Sequence, residues 1–402
     1  MRKSIRQIKD EVRGERILTD IRKITTFHRI QASPGYRAAA HEVLNMLQKE
    51  GIDSRILSYP FDEKTWYLSH KSFLEWDCQD AWLELESPVK KRLTDFQSCS
   101  ISIIQKSQPI DCSKESIEIV LLDQGSNEEA YEGLDLEGKL IFIREDFKPY
   151  MDWAIKKGGA LGFISDYMRE VPGARSRADL YDARNYSSFW WTDTEKEPKT
   201  FGFVLTPREG DELAALCKKM AEEHIKDKKK AARPTATFKI NSSLYPGAIE
   251  VVEAVLPGEK NEEILLVSHL CHPRPSANDN ASGVGAVLEA LRVLKRLMED
   301  KRLKALQRSI RVIFVPEFAG TYAWLADGKN QNKKVLVGLN LDMVGGRQTK
   351  GYGPLTISSQ PHAAPSLVTD MAMLCFDEIK NSAPSLSTSF PVPMFNYYQG
   401  GF

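Results

Sequence analysis

Apolar side chains recur every three or four positions between Ser4 and Thr26, at Ile5, Ile8, Val12, Ile17, Ile21 and Ile24. That spacing lines one face of a helix, so a helix is expected there. A second helix should follow. Ser33 can cap its first turn, Pro34 suits its first position, Val43, Leu44 and Leu47 mark a buried stripe, and Gly51 follows its last turn. "IDSRILSYP" then reads as a strand. From Phe61 to Pro109 the period is lost among tryptophans and short polar breaks, and the stretch reads as irregular β. The pattern returns at Ile117. "IEIVLLD" and "KLIFIRED" read as strands, "MDWAIKK" as a helix closed by Gly158 and Gly159, and "LGFIS" as a third strand.

A polar, aromatic loop from Arg175 to Thr200 leads to a long helix starting near Thr206. Its basic end, Lys226 to Lys230, reads as a solvated helix terminus rather than a nucleic-acid patch, because lysine suits the negative end of a helix dipole. A domain boundary is expected near Ala231 to Ala236. Beyond it, the strands "GAIEVVEAVLPG", "EEILLVSHL", "SIRVIFVPEF" and "KVLVGLNLDMVGG" alternate with a helix from about Ala281 to Met298 and a short one around Thr321 to Ala326. Strands this apolar read as a sheet covered on both faces, hence a layered α/β fold. In such sheets ligands bind beyond the carboxyl ends of the strands.

The totals narrow the class. A chain of 402 residues suggests about two domains. Lysine plus arginine equals aspartate plus glutamate at 55 each, so no net charge points to nucleic acid or a membrane surface. The six cysteines (78, 99, 112, 217, 271 and 375) are scattered without a CxxC pair, which fits reduced thiols in a cytoplasmic protein. The charged N-terminus lacks the apolar core of a signal peptide, and no apolar run reaches the length of a membrane span.

The strand ends carry the candidate chemistry. Ser268 and His269 follow "ILLV", Pro316 and Glu317 follow "RVIFV", and Asp342 follows "VLVGLNL". Asp279 sits in the loop before the next helix, and His272 and Cys271 lie between it and His269. Alone, each has a structural reading. Together they place metal-competent groups on one sheet edge, and histidine nitrogen with carboxylate oxygen suits zinc. Gly283 to Ala286 ("GVGA") lacks the spacing of a phosphate-binding loop, and its glycines are expected to allow close packing of helix on strand. Ser282 lies in no GxSxG elbow and is a poor nucleophile.

"SHLCHPRPSANDNASG", "VIFVPEFAG" and "LNLDM" resemble the di-zinc aminopeptidases of peptidase family M28. The resemblance is to the branch with a His-x-Cys-His-Pro…Ala-Asn-Asp-Asn-x-Ser-Gly signature. "HRIQASPGYRAAAHEVLNMLQ" resembles that family's N-terminal segment, and "LDLEGKLIFIRED…AIKKGGALGFIS" resembles an inserted protease-associated (PA) domain. The resemblance implies a three-layer mixed-sheet zinc-exopeptidase fold with a β-rich PA-like insert. The peptidase domain would comprise residues 1–61 and 236–402, and the insert residues 62–235. It implies that His269 and Asp342 bind one metal, that Asp279 bridges two, and that Asn280, Ala281 and Ser282 shape the turn.

The chain departs from that pattern in three places. One glutamate, Glu317, stands where the family has an adjacent pair, so it is either a ligand or the general base. His272 is a substitute ligand, a substrate contact or a loop hydrogen-bond donor, while Cys271 is expected to point into the core. The family's distal histidine has no counterpart: His362 precedes the matching region, and the chain reads as C-terminally interrupted at "FNYYQGGF". Tyr352 and those terminal aromatics read as pocket lining or core, and His28 and Arg29 as packing residues. The expectation is a cytoplasmic metallo-aminopeptidase with one or two zinc ions, acting on peptides with a free N-terminus, without nucleic-acid or membrane partners. The alternative is a catalytically impaired or carbohydrate-related protein on the same scaffold.

Overall fold

The computed structural model describes residues 2–122, 128–172, 175–331, 333–346, 355–358, 360, 366–382 and 394–395. Tyr352 and His362 lie outside the described residues. The chain divides into two compact units, residues 1–72 with 247–402, and residues 73–246.

Two helices open the first unit, α1 (Arg2–Glu11) and α2 (Gly14–Ile24), where the sequence suggested one. Arg13 is extended rather than helical and gives its backbone N–H to Glu289 Oε1 at 2.8 Å. A long-range bond thus takes the place of a helical one, just before Gly14. Helix α3 (Pro34–Lys49) starts as its capping residues suggest. The Ser33 hydroxyl accepts the Tyr36 N–H at 3.1 Å, and Tyr36, Ala39, Ala40, Val43 and Leu47 are buried. Strand β1 (Asp53–Phe61) and a short hairpin, β2 (Trp66–Tyr67) and β3 (His70–Lys71), follow.

The second unit contains β4 (Glu75–Ser87), β5 (Lys91–Asp95), β6 (Ile110–Leu122), β7 (Leu140–Ile143), β8 (Gly162–Ser165), β9 (Gly202–Val204), α4 (Pro207–Lys226) and β10 (Thr235–Tyr245). The strands form one sheet in the order β5-β4-β10-β6-β7-β8-β9, parallel from β6 to β9. The stretch read as irregular holds the 13-residue strand β4. Its alternation is masked by a bulge. Asp80 and Cys78 pair with consecutive residues of β10, leaving Gln79 out, so the buried positions jump from Trp76 to Ala81, Leu83 and Leu85. The unit begins at Phe73 and ends at Pro246 rather than at 62 and 235. Ala231 to Ala236, read as a linker, runs into β10, where Ala236 and Phe238 are fully buried.

Back in the first unit come β11 (Gly247–Leu256), β12 (Lys260–His269), α5 (Gly283–Glu299), β13 (Arg308–Val315), α6 (Ala319–Ala326), α7 (Gly328–Gln331) and β14 (Val335–Asn340). The sheet runs β1-β11-β13-β12-β14. Strands β13, β12 and β14 are mutually parallel, and β1 and β11 are antiparallel to their neighbours. Val252, Ala254, Val312 and Phe314 of the sheet pack against Val43 and Leu47 of α3 and Leu288 and Leu291 of α5. Gly285 serves helix-on-helix packing, because a Cβ there would lie 3.1 Å from Ile21 Cγ1. β14 departs from the expected double cover: it is the outer strand, and Leu336 is 47% exposed. Among the described residues no helix is long and apolar enough to cross a membrane.

Candidate metal centre

Three parallel strands side by side deliver their carboxyl ends to one edge. His269 ends β12 and pairs with Val315, the last residue of β13, so Glu317 lies two residues beyond. Val267 pairs with Asn340 of β14, which brings Asp342 level with His269. The loop after β12 then curls back through a wide turn, Ala277–Ser282, whose backbone leaves helical angles at Asp279 and Asn280, and returns Asp279 to the same edge.

His269 is buried; its Nε2 lies 3.1 Å from Asp279 Oδ1 and 3.3 Å from Asp342 Oδ1. His272 lies between two other oxygens: Nδ1 is 3.5 Å from Asp279 Oδ2, and Nε2 is 3.5 Å from Glu317 Oε2. The two imidazole centres are 5.2 Å apart. Asp279 thus turns one oxygen to each histidine. All five residues singled out in the sequence, His269, His272, Asp279, Glu317 and Asp342, converge. Among the described residues, the sets His269–Asp279–Asp342 and His269–His272–Glu317 each bring three donor atoms within 4.8 Å of one another.

Neighbouring groups fix the donors. His269 Nδ1 faces the Cys271 carbonyl at 3.3 Å, which leaves Nε2 for the carboxylates. The Cys271 side chain is buried, as expected. Its Sγ accepts the Glu317 N–H at 3.2 Å and lies 3.6 Å from His269 Nδ1, so the thiol ties the β12 and β13 loops together from behind. Asn280, fully buried, joins three segments. Its amide donates to Ser268 Oγ (3.1 Å) and the Leu341 carbonyl (2.9 Å), and its Oδ1 accepts from the N–H groups of Gly283 (3.0 Å) and Met343 (3.1 Å). All four hydrogen-bonding positions of that side chain, two donors and two lone pairs, are used. At Gly283 any Cβ would run into Asn280 Oδ1 and the Leu341 carbonyl.

The reading of Arg29 as packing missed its part here. The side chain is wholly buried and donates to the carbonyls of Ile24 (2.8 Å), Phe27 (3.2 Å), Leu270 (2.8 Å), Pro275 (3.5 Å) and Ser276 (3.1 Å). Its backbone exchanges two hydrogen bonds with that of His272, at 2.7 and 3.1 Å. The sequence signal was slight: an arginine in a mixed polar and apolar stretch a few residues before Pro34 and Gly35. Backbone conformation marks the same place. Among the described residues ten non-glycine residues have positive φ, and of these His272, Ser276, Phe318 and Met343 lie in the three loops at this edge. Such conformations cost about 1–3 kcal/mol each and gather at functional sites.

The electrostatics suit a cation. Three carboxylates converge on two imidazoles. Burial opposes a charged His269, yet Cys271 and the acceptors Asp279 and Asp342 outweigh it, so its pKa is raised above the ordinary imidazole value. Burial pushes Asp279 up, but His269, His272 and Arg29 more than offset this and hold its pKa low. Burial draws the Arg29 pKa down to about 10. Zinc bonds of 2.0–2.1 Å at tetrahedral angles put donor atoms roughly 3.3 Å apart. The contacts of His269 Nε2, at 3.1 and 3.3 Å, fit that spacing.

A family model described as "Domain of unknown function (DUF4910)" matches residues 112–363. A Clostridium acetobutylicum protein provisionally named a polysaccharide biosynthesis protein with aminopeptidase-like domain is 28% identical over 216 residues, 53% of this chain. The match spans only 41% of that relative's length. Among solved structures, a Peptidase M28 precursor from Shewanella amazonensis SB2B is similar at a TM-score of 0.66 with 16% identity, covering 100% of this chain and 84% of that one. BSAP, a zinc aminopeptidase from Bacillus subtilis, gives 0.61 with 14% identity, covering 92% and 78%. At these identities the likeness is one of fold: the mixed α/β architecture is that of these peptidases.

Proposed function

Because the chain belongs to the DUF4910 family, whose description names no reaction, we propose its function from the site: a zinc-dependent hydrolase that removes the N-terminal residue of a peptide. The observation that carries this reading is the pairing of His269 Nε2 with Asp279 Oδ1 and Asp342 Oδ1 at the spacing zinc ligands adopt. Those three residues would hold one ion. Asp279 Oδ2, His272 and Glu317 are the donors for a second. The chemistry zinc supplies when bound is a water acidified toward neutral pH and a polarised carbonyl.

The protein's own groups account for the rest. Glu317 has one of two roles: where it does not hold the second ion, its Oε2, beside His272 Nε2, is placed to take a proton from the attacking water and return it to the leaving amine. Its N–H on Cys271 Sγ fixes where that carboxyl stands. Asp342, more exposed than Asp279, is open to a substrate ammonium as well as to a cation. The second unit is read as a PA-like insert.

The test is hydrolysis of aminoacyl p-nitroanilides by zinc-loaded protein, with N-acetylated analogues beside them. Free-amine substrates should be cleaved, a chelator should stop turnover, and zinc should restore it. Zinc bound without cleavage of any free-amine substrate would sink the peptidase reading. A second reading, a carbohydrate-related or inactive protein on the same scaffold, draws on the relative's name and on Glu317 standing between Pro316 and Phe318 with no second glutamate beside it.

A further inference from the structure

The segment between His269 and Asp279 is held by a buried charge whose hydrogen bonds go to backbone carbonyls. Among the described residues Arg29 makes no ion pair. Its guanidinium faces carbonyl oxygens on two sides: Ile24 and Phe27 at the end of α2, and Leu270, Pro275 and Ser276 in the loop. The α2 side is the negative end of a helix, where a cation is favoured; the Ile24 carbonyl accepts the Phe27 N–H as well as the guanidinium. The loop side presents three more carbonyls that no helix or sheet serves. The fork of the guanidinium can meet both at once, which lysine, with three donors at a single point, cannot.

The backbone bridge adds direction. His272 gives its N–H to the Arg29 carbonyl and accepts the Arg29 N–H. Held there, His272 takes a φ of 149°, a conformation side chains rarely adopt. The bridge therefore sets where the imidazole stands, against Asp279 on one side and Glu317 on the other. We infer that Arg29 is a positioning residue of the cation site: it clamps residues 270–276 to the end of α2 and thereby holds His272 and Asp279 against His269. It touches none of the donor atoms. This rests on the reading of the site as a cation centre.

The experiment compares Arg29→Met and Arg29→Lys with Leu288→Ala, a truncation in the core under α5. Two quantities are read on the full chain: zinc affinity by competition with a chromophoric chelator, and amide exchange at His272 in metal-free protein. Arg29→Met should weaken zinc binding roughly 10–100-fold, the size seen when groups supporting metal ligands are removed. Arg29→Lys should recover part of this, and Leu288→Ala should stay within about twofold of the parent. Exchange at His272 should quicken at least about tenfold in Arg29→Met and not in Leu288→Ala. Parent-like affinity and exchange in Arg29→Met, or equal losses in Leu288→Ala, would overturn the assignment. Should the parent bind no zinc, the cation reading falls, and exchange at His272 alone decides the clamp. If Arg29→Met does not fold, Arg29→Gln, which keeps two donors and no charge, is read in the same two assays.

Discussion

Metal-free protein should carry a proton on His269 well above neutral pH, and zinc should have to displace it. The reason is geometric. Nε2 lies between Asp279 and Asp342 at 3.1 and 3.3 Å, and those acceptors with Cys271 outweigh the burial that disfavours the imidazolium. An ordinary imidazole of pKa about 6.5 is only about 3% protonated at pH 8, so it would release almost no proton on binding zinc. His269 should release about one. Zinc affinity should therefore rise about tenfold per pH unit between pH 7 and 9, where a site with an ordinary histidine is nearly flat. The stability of the metal-free protein should move the other way. A raised pKa contributes stability that is complete below the unfolded value near 6.5 and declines as pH climbs toward the folded value. From this group alone the decline is about 1.4 kcal/mol per pH unit from pH 7 to 9. Titration calorimetry in buffers of different ionisation enthalpy counts the protons, and urea unfolding in chelator gives the stability slope. A release near zero at pH 8, with an affinity independent of pH, would show that the two carboxylates do not grip His269 as the structure has them.

Three further outcomes follow from single side chains. Asn280→Ala removes four buried hydrogen bonds and should cost about 3–5 kcal/mol in urea unfolding, with zinc binding lost alongside, whereas a distant surface alanine should do neither. In the second unit, Asp166 is fully buried between Arg144 and Arg177, at 2.8 and 2.7 Å. Asp166→Asn leaves two guanidiniums short of a counter-charge and should destabilise by about 3–5 kcal/mol without changing zinc affinity, as unfolding and chelator competition would show. His28 has its pKa drawn down to about 3 by burial, with Arg274 and Arg29 adding to the effect. The unfolded chain therefore takes up that proton first, so stability should fall as pH drops from about 6.5 toward 3. His28→Asn should flatten that limb of an acid-unfolding curve.

Much of the site was legible because parallel topology converts sequence into place. Once "ILLV", "RVIFV" and "VLVGLNL" are read as neighbouring parallel strands, His269, Glu317 and Asp342 must share an edge, whatever the loops do. Asp279 was legible through its resemblance motif. What escaped reading depends on contacts far apart in the chain. Arg29 meets its loop partners 241 to 247 residues away, and nothing local announces them. The break between α1 and α2 is made by Glu289, again remote. Strand β4 was hidden by one unpaired residue, Gln79, which shifts the alternation by a step and makes a long strand look irregular. The boundary was misplaced for a different reason. Alanine, proline and lysine near 231–236 look like a linker by composition, yet the unit closes only after β10 has paired on both its edges.

The same residues explain why this edge can hold its shape against its own strain. His272, Ser276, Phe318 and Met343 all sit at positive φ, and three of them either are candidate donors or directly follow one. Left to itself, each loop would relax by turning its donor away. Two buried polar side chains oppose that, and they divide the work. Asn280 binds the β12 strand end, the start of α5 and the segment after β14 into one unit, which holds Asp279 and Asp342. Arg29 binds the intervening loop to α2, which holds His272. Neither contributes a donor atom, and neither would be needed if the loops only connected strands to helices. A fold that commits two fully buried hydrogen-bond hubs, and several kcal/mol of backbone strain, to one sheet edge is shaped by what that edge must hold. On the reading proposed above, the convergence of three carboxylates on His269 and His272 makes that a cation.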